Sequence, residues 1–261
     1  MGKIVKHMRV YSFEADEPVA PSEKNLVCEL FYNERGQEVK EESNVERIQY
    51  YYETDGGSLI RGTYDYPDGA RWTLEYTYDL DGNLVHCHWT GEGVYDDLYG
   101  GYVFLPTDDY ADKWCDWSSD GKLCTWKKET HYRDGSIRRE TTREEYDDRG
   151  LLRLVHHYDD ESNYDSLERL YYDAGGELTR KSTRSVFKTK EGKQRQIRSR
   201  ERHVGGRKVS ESIFGVNHEG KAFRNDFIYE YEGDGEGNWV VSRRICKGKL
   251  QLTVLREIDY W

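Results

Sequence analysis

The chain consists largely of short stretches in which apolar and polar residues alternate, and a turn follows each stretch. The clearest example places Trp72, Leu74, Tyr76 and Tyr78 at every second position, with polar residues between them. Alternation with a period of two predicts a β-strand that has one apolar face and one polar face. The stretch is followed by Asp81-Gly82, a dipeptide that accepts the positive φ of a hairpin turn. The unit therefore predicts one strand and one tight turn.

Units of this kind recur along most of the chain, with glycine turns at short intervals. Short connections make neighbouring strands antiparallel, because parallel pairing needs a long crossover. We therefore predict an all-β fold, an antiparallel meander of about a dozen strands joined by tight Gly turns and curled into an open or closed barrel or shell. Residues 1–25 are predicted to be an irregular N-terminal segment, and residues 26–261 a single β domain.

The longest interval without a regular turn, residues 91–117, predicts an insertion in this domain. Its aromatic content argues against disorder, and loops of this length in compact domains are otherwise usually functional. We interpret the insertion as a structural plug or lid, with a surface for a partner or ligand as the alternative. The candidate contact residues are Tyr95, Tyr99, Tyr102, Asp108, Asp109, Tyr110, Trp114 and Trp117.

Charge is distributed unevenly along the chain. The formal net charge is −11, yet residues 180–208 carry twelve Lys or Arg against two Glu. The overall acidity argues against nucleic-acid binding by the whole surface. The local excess predicts a basic patch formed by Arg195, Arg198, Arg200 and Arg202. Two interpretations are open: the patch binds phosphate or an acidic partner, or it pairs across strands with acidic residues of the same sheet.

The five cysteines occur in no zinc-binding spacing, so they are interpreted as free thiols in a reducing compartment. His86 and His88 lie two apart on a predicted strand and share a face, and Cys115 is a weak candidate for a third metal ligand. We predict no metal and no cofactor. The chain has no apolar run of transmembrane length and no recognisable signal peptide. We therefore expect a cytoplasmic protein without membrane contact.

Three sites share the pattern Y-D-x-x-G-x-L, at residues 78–84, 146–152 and 172–178. The pattern resembles the YD repeat of RHS-type bacterial proteins, and residues 51–88 resemble MORN-variant repeats found near toxin–antitoxin loci. The resemblance implies an antiparallel meander that winds into a shell, in a bacterial toxin system. The motif also has a structural reason, because its Asp accepts bonds from the turn backbone and its Gly takes a left-handed conformation.

No catalytic motif occurs in the sequence, and no catalytic residue is assigned. We predict a non-enzymatic protein that binds an unidentified protein partner, and the resemblance implies an immunity or accessory factor of a toxin system. The alternative is a shell that binds carbohydrate or another small ligand, with residues 91–117 as its lid. A glycan-active enzyme in the same groove is the third hypothesis.

Overall fold

The protein is described by a computed structural model that places residues 3–15, 17–53, 57–67, 71–80, 82–92, 110–132, 135–159, 164–188, 194–216 and 220–261. Within these ranges the chain forms eighteen β-strands. They are β1 (Val5–Glu14), β2 (Leu26–Tyr32), β3 (Glu38–Ser43), β4 (Arg47–Tyr52), β5 (Leu59–Asp65), β6 (Arg71–Tyr78), β7 (Leu84–Glu92), β8 (Tyr110–Trp117), β9 (Leu123–His131), β10 (Ile137–Tyr146), β11 (Leu152–Asp159), β12 (Tyr164–Tyr172), β13 (Leu178–Lys188), β14 (Gln194–Val204), β15 (Arg207–Val216), β16 (Ala222–Gly233), β17 (Trp239–Cys246) and β18 (Lys249–Tyr260).

Every strand pairs antiparallel with the next one along the chain, and β1 also pairs with β18. The sheet is therefore a closed barrel. The predicted all-β antiparallel meander is confirmed, but the barrel has eighteen strands rather than about a dozen. Some of its turns lack the glycine that the prediction relied on. Between β3 and β4, the hydroxyl of Ser43 accepts hydrogen bonds from the amides of Val45 and Glu46 instead.

Two segments that were expected to be irregular contain regular strands. Residues 5–14 form β1, which closes the barrel between β2 and β18. A register shift between Val10 and Tyr11 interrupts the period-two alternation of β1. The alternating pattern therefore did not predict this strand. Residues 91–92 complete β7, and residues 110–117 form β8. The remainder of the predicted insertion, residues 93–109, lies outside the described residues.

The Y-D-x-x-G-x-L motif builds the turns at one end of the barrel. In the copy at 146–152, Asp147 Oδ1 accepts hydrogen bonds from the amides of Arg149 and Leu151. Gly150 takes a φ of 75°, in the left-handed region that favours glycine. A register shift at Tyr146 follows from the extra residue of the turn. The motif therefore has the structural role expected of it.

A tyrosine near the end of several strands adds a second anchor at this end of the barrel. The hydroxyl of Tyr78 donates to the carbonyl of Leu59, and the hydroxyl of Tyr172 donates to the carbonyl of Leu152. Each bond satisfies a carbonyl at the start of the preceding strand, where the ladder is interrupted. The tyrosines that open the motif thus connect neighbouring hairpins.

The wall of the barrel is a single layer around an accessible lumen. The accessible surface is 16508 Å², against about 12,000 Å² for a compact protein of this mass. Barrels of 16 to 18 strands are wide enough to leave an aqueous interior. Inward positions carry most of the buried side chains, such as Leu74, Cys87 and Trp126, and outward positions are mainly charged. Among the described residues, no helix is long and apolar enough to cross a membrane.

Candidate functional site

The outer face of three neighbouring strands carries a cluster of exposed arginines. Strand β14 presents Arg198, Arg200 and Arg202 at alternate positions, so all three point out of the barrel. Strands β12 and β13 add further outward arginines beside them. We call this set the arginine field: Arg169, Arg180, Arg184, Arg198, Arg200 and Arg202.

The register of these strands brings arginines directly opposite one another. Arg184 faces Arg198, and Arg180 faces Arg202, across the β13–β14 ladder. On the other side of β14, Arg200 faces Ser212 and Arg202 faces Ser210. Like charges at opposed positions destabilise a sheet. The interpretation that the basic strand pairs across the sheet with acidic residues therefore does not describe these positions.

None of the six guanidinium groups has a carboxylate oxygen within 4.0 Å among the residues that the structure places. Two of the six contact aromatic rings instead. The guanidinium of Arg180 lies 3.9 Å from the ring centroid of Tyr171, and that of Arg200 lies 5.5 Å from Phe214. Stacking of this kind is typical of exposed arginine and leaves its charge available to an anion.

Arg195, the remaining residue of the predicted basic patch, does not belong to the field. It lies an odd number of positions from Arg198 on the same strand, so its side chain points to the inner face. Gly220 is its neighbour there, since a Cβ at Gly220 would lie 3.4 Å from a guanidinium nitrogen of Arg195. The sequence therefore identified three of the six field residues and one residue of the opposite face.

The candidate contact residues of the predicted insertion are divided between the two faces of β8. Tyr110 and Trp114 lie on the outer face and are 39% and 42% exposed. Trp117 lies on the inner face, with its ring centroid 5.6 Å from that of Tyr146. The other five candidates, Tyr95, Tyr99, Tyr102, Asp108 and Asp109, lie outside the described residues. Alternation along a strand explains why the three placed residues do not form one surface.

His86 and His88 share the outer face of β7, as predicted, and both contact Asp112 of β8. The ring nitrogens Nε2 of His86 and Nδ1 of His88 lie 2.9 Å and 2.8 Å from Asp112 Oδ1. Burial raises the pKa of Asp112, but the hydrogen bonds from His88 and His86 outweigh it, so this pKa is below its usual value. In the described part of the chain, no group of three His, Cys, Asp or Glu side chains is arranged to hold a metal ion.

Cys115 lies on the inner face of β8, and the wall separates it from the two histidines. It forms a disulfide with Cys124 of the adjacent strand, with the two Cα atoms 6.1 Å apart. Cys28, Cys87 and Cys246 are free. The interpretation of all five cysteines as free thiols is therefore wrong for two of them, which adjacent antiparallel strands bring within bonding distance.

A cavity of about 250 Å³ opens on the inner face of strands β5 to β9. Lys128 provides the positive charge in its lining, and its ammonium lies 5.5 Å from the ring centroid of Trp89. A site of this kind, with aromatic walls and one polar group, is what the ligand-binding alternative requires. The lining residues are Tyr64, Tyr66, Trp72, Leu74, Trp89, Ala111 and Lys128.

The sequence contained a signal for the arginine positions that the prediction missed. Residues 184 and 198, and residues 180 and 202, lie symmetrically about position 191 in the hairpin of β13 and β14. Folding that hairpin about its centre would have placed arginine opposite arginine. The sequence contained no comparable signal for Asp112 or for the inward lysines Lys113 and Lys128. Their neighbours are known only once β8 is identified, and β8 follows the long interval after β7.

No model of a known protein family matches the sequence, so YD-repeat membership is not shown, and no curated protein matches either. Solved structures of low identity do match. A chain of the TcdB2-TccC3-Cdc42 complex is 15% identical over 85% of this chain, with a TM-score of 0.34. This chain spans only 14% of the length of that chain.

Porin-like proteins are also among the matched structures. Those from Bacteroides uniformis and Bacteroides vulgatus are each 11% identical and cover 99% of both chains, with TM-scores of 0.42 and 0.47. At these TM-scores the likenesses assign no function to the chain.

The predicted cytoplasmic location is wrong. The chain instead forms a closed barrel of eighteen antiparallel strands, an even number that outer-membrane-type barrels also have. The prediction failed because it relied on the lack of a long apolar run, and short alternating strands contain none. The Cys115–Cys124 disulfide agrees with a location outside the reducing cytoplasm.

Proposed function

We propose that the protein is a non-enzymatic binding protein whose arginine field receives an acidic surface of another protein. The observation that carries the proposal is the register of β13 and β14, which opposes Arg184 to Arg198 and Arg180 to Arg202. This arrangement costs folding free energy in the isolated barrel. A carboxylate-bearing partner placed over the field would offset that cost and form charge-assisted hydrogen bonds.

The field also supports a wall that faces water or protein rather than lipid. Arg184 and Arg200 lie near the middle of their strands. Burying one Arg at the bilayer midplane on the lipid face of a barrel costs about 2–4 kcal/mol. Burying these two residues would together cost about 4–8 kcal/mol, a large part of the roughly 5–15 kcal/mol that stabilises a typical domain. We therefore propose that this part of the wall faces water or protein rather than lipid.

An acidic protein suits the field better than a nucleic acid does. Tyr171 and Phe214 lie among the arginines, and Ile228, which Ser210 separates from Arg202 in the ladder, is 58% exposed. Arginine mixed with aromatic residues is the composition enriched at protein interfaces. The net charge of −11 repels an extended polyanion from the rest of the surface. A compact acidic patch of a protein can bind by contacting the field alone.

A role as an immunity or accessory factor in a toxin system is the biological setting we propose for this binding. It rests on the resemblance of the three Y-D-x-x-G-x-L sites to YD repeats. Co-expression with a toxin from the same genetic locus tests it, and restored growth of the host is the expected result. Unrestored growth would remove the toxin setting and leave the acidic-surface proposal to its own test.

Binding of a short fluorescein-labelled poly-glutamate peptide at low ionic strength tests the arginine field directly. In the variant R198Q/R200Q/R202Q, affinity should fall by about tenfold, because three exposed ion pairs of about 0.5 kcal/mol each are lost. The matched control is R9Q/R71Q/R139Q, which removes the same number of exposed outer charges. Those three arginines already have carboxylate partners within the barrel.

The control should retain the affinity of the unmodified protein, and circular dichroism should show that both variants keep the fold. Equal losses in the two variants would mean that overall charge, not the field, binds the peptide. No loss in either variant would also overturn the proposal. Stronger binding of an oligothymidylate of equal charge would replace the acidic protein with a nucleic acid as the partner.

A further inference from the structure

Two lysines face each other on the inner surface of the barrel. Lys113 of β8 lies opposite Lys128 of β9 in the ladder, and both are inward, because their neighbours Trp114 and Lys127 point outward. Directly opposed side chains in an antiparallel pair have Cβ atoms about 4.5–5.5 Å apart. The ladder therefore places Lys113 directly beside Lys128, the lysine that lines the lumen cavity.

Only one of these lysines is compensated by a carboxylate. Lys128 Nζ lies 3.4 Å from Glu140, a carboxylate that Arg138 also contacts. Lys113 has no carboxylate within 4.0 Å among the described residues. The nearby Glu144 is already bonded, since it accepts from Trp126 Nε1 at 3.1 Å and from the hydroxyl of Tyr146 at 2.8 Å.

Each of the two ammonium groups lies over one aromatic ring. Lys113 Nζ lies 4.3 Å from the ring centroid of Trp126, and Lys128 Nζ lies 5.5 Å from that of Trp89. Burial lowers the pKa of Lys113, although the charges of Cys87 and Glu144 raise it in part. An incompletely solvated cation of this kind gains more from an anionic ligand than a surface lysine does.

The cavity beside the lysines has the size and lining of a site for a small ring. Its volume is about 250 Å³, just below the roughly 300–1,000 Å³ of typical ligand pockets. Trp72 and Trp89 supply flat apolar surfaces to it. Gly91 makes room for one of them, because a Cβ at that position would lie 2.7 Å from the Trp72 ring.

We propose that the lumen binds a small aromatic carboxylate, whose ring lies in the cavity against Trp72 and Trp89 and whose carboxylate bridges Lys113 and Lys128. This site lies on the opposite face of the wall from the arginine field and does not depend on the function proposed there. Aromatic stacking fixes the ring, and the paired ammonium groups select the anion.

Isothermal titration calorimetry with 2-naphthoate and its neutral amide, 2-naphthamide, tests the proposal. Naphthoate should bind, and naphthamide should bind about tenfold more weakly, because it has the same ring without the charge. The K113M variant should lose about tenfold in naphthoate affinity and little in naphthamide affinity. The W89L variant should weaken both ligands, because it removes the shared ring contact.

The matched control is K127M, which changes the neighbouring lysine on the outer face and leaves the lumen unaltered. It should bind naphthoate as the unmodified protein does. K128Q provides a second lumen variant should K113M fail to fold, as judged by circular dichroism. Equal binding of the two ligands, no binding of either, or unchanged naphthoate affinity in the lumen variants would each overturn the proposal.

Discussion

The outer wall of the barrel contains two groups of neighbouring strands, or arcs, that differ in whether their outward arginines have carboxylate partners. On strands β1 to β10, which we call the paired arc, several outward arginines bond carboxylates: Arg47 bonds Glu42 at 2.7 Å, and Arg139 bonds Glu129 at 2.8 Å. On β12 to β14, the arginine field opposes arginine to arginine. The same sheet geometry serves both arcs. Ion pairing is therefore available to this fold, and the acidic partner proposed above would supply it to the field.

The largest change in the free energy of unfolding is expected when a row of like charges is introduced into the paired arc. Asp65 lies between Arg47 and Arg71 in the ladder and bonds Arg71. The D65R variant would place three arginines in one row and should lower the free energy of unfolding by about 1–2 kcal/mol, because a pair is lost and two repulsions are added. Urea denaturation measures the change.

D65N is the control for this experiment, because it removes the pair without adding a positive charge. It should cost about 0.5 kcal/mol. If D65R lowers the free energy of unfolding no more than D65N does, opposed arginines do not destabilise this wall. The arginine field then needs no partner to explain it.

The reverse change should stabilise the field. Arg184 faces Arg198 across the ladder, so R184E would replace a repulsion with an ion pair. We expect the free energy of unfolding to rise by about 0.5–1 kcal/mol, while the affinity for poly-glutamate falls. The same urea denaturation measures the first effect, and peptide binding measures the second.

R184Q separates the two causes in that variant, because it relieves the repulsion without creating a pair. Its stability should lie between those of the unmodified protein and R184E. A loss of stability in both variants would show that Arg184 contributes through packing of its side chain. It would contradict the interpretation that the opposed arginines of the field destabilise the fold.

The smallest of the three changes in stability is expected at acidic pH. Protonation of Asp112 should there lower the free energy of unfolding. Because the pKa of Asp112 is lowered in the folded state, its stabilising contribution is complete above the ordinary carboxylate pKa of about 3.9. The contribution is lost as the pH falls through the lowered value. The D112N variant should therefore show a shallower loss of stability below that pH than the unmodified protein.

Denaturation at a series of pH values between neutrality and the acid range measures this difference. D116N is a matched control, because Asp116 lies on the same outer face of β8 and pairs only with the exposed Lys127. Parallel curves for D112N and the unmodified protein would remove Asp112 from the acid response.

The fold was largely predictable because its information is local. Asp147 and Gly150 specify a turn within a few residues of each other, and each takes the predicted role. What escaped prediction depends on partners distant in sequence. Asp112 is recognised only when β8 is placed beside β7, and the opposition of Lys113 to Lys128 requires the register of β8 with β9.

The arginine field lies between these cases. Its central residues on β14 were visible as an alternating run, whereas Arg169 belongs to the field only because Ser182 lies between it and Arg200 across β13. Arg195 was misplaced because proximity in sequence was taken for proximity in space. Alternation puts it on the other side of a single-layer wall.

The pairing of β1 with β18 has a consequence for how the chain reaches its native state. The hydroxyl of Tyr11 bonds Glu257, a contact across 246 positions of sequence. During synthesis β1 emerges long before β18 exists, so the growing sheet is open and has two unpaired edges that can recruit other chains. Contacts of such separation form slowly. We therefore expect the nascent protein to be most prone to aggregation just before the seam closes, and chaperone binding to matter most in that interval.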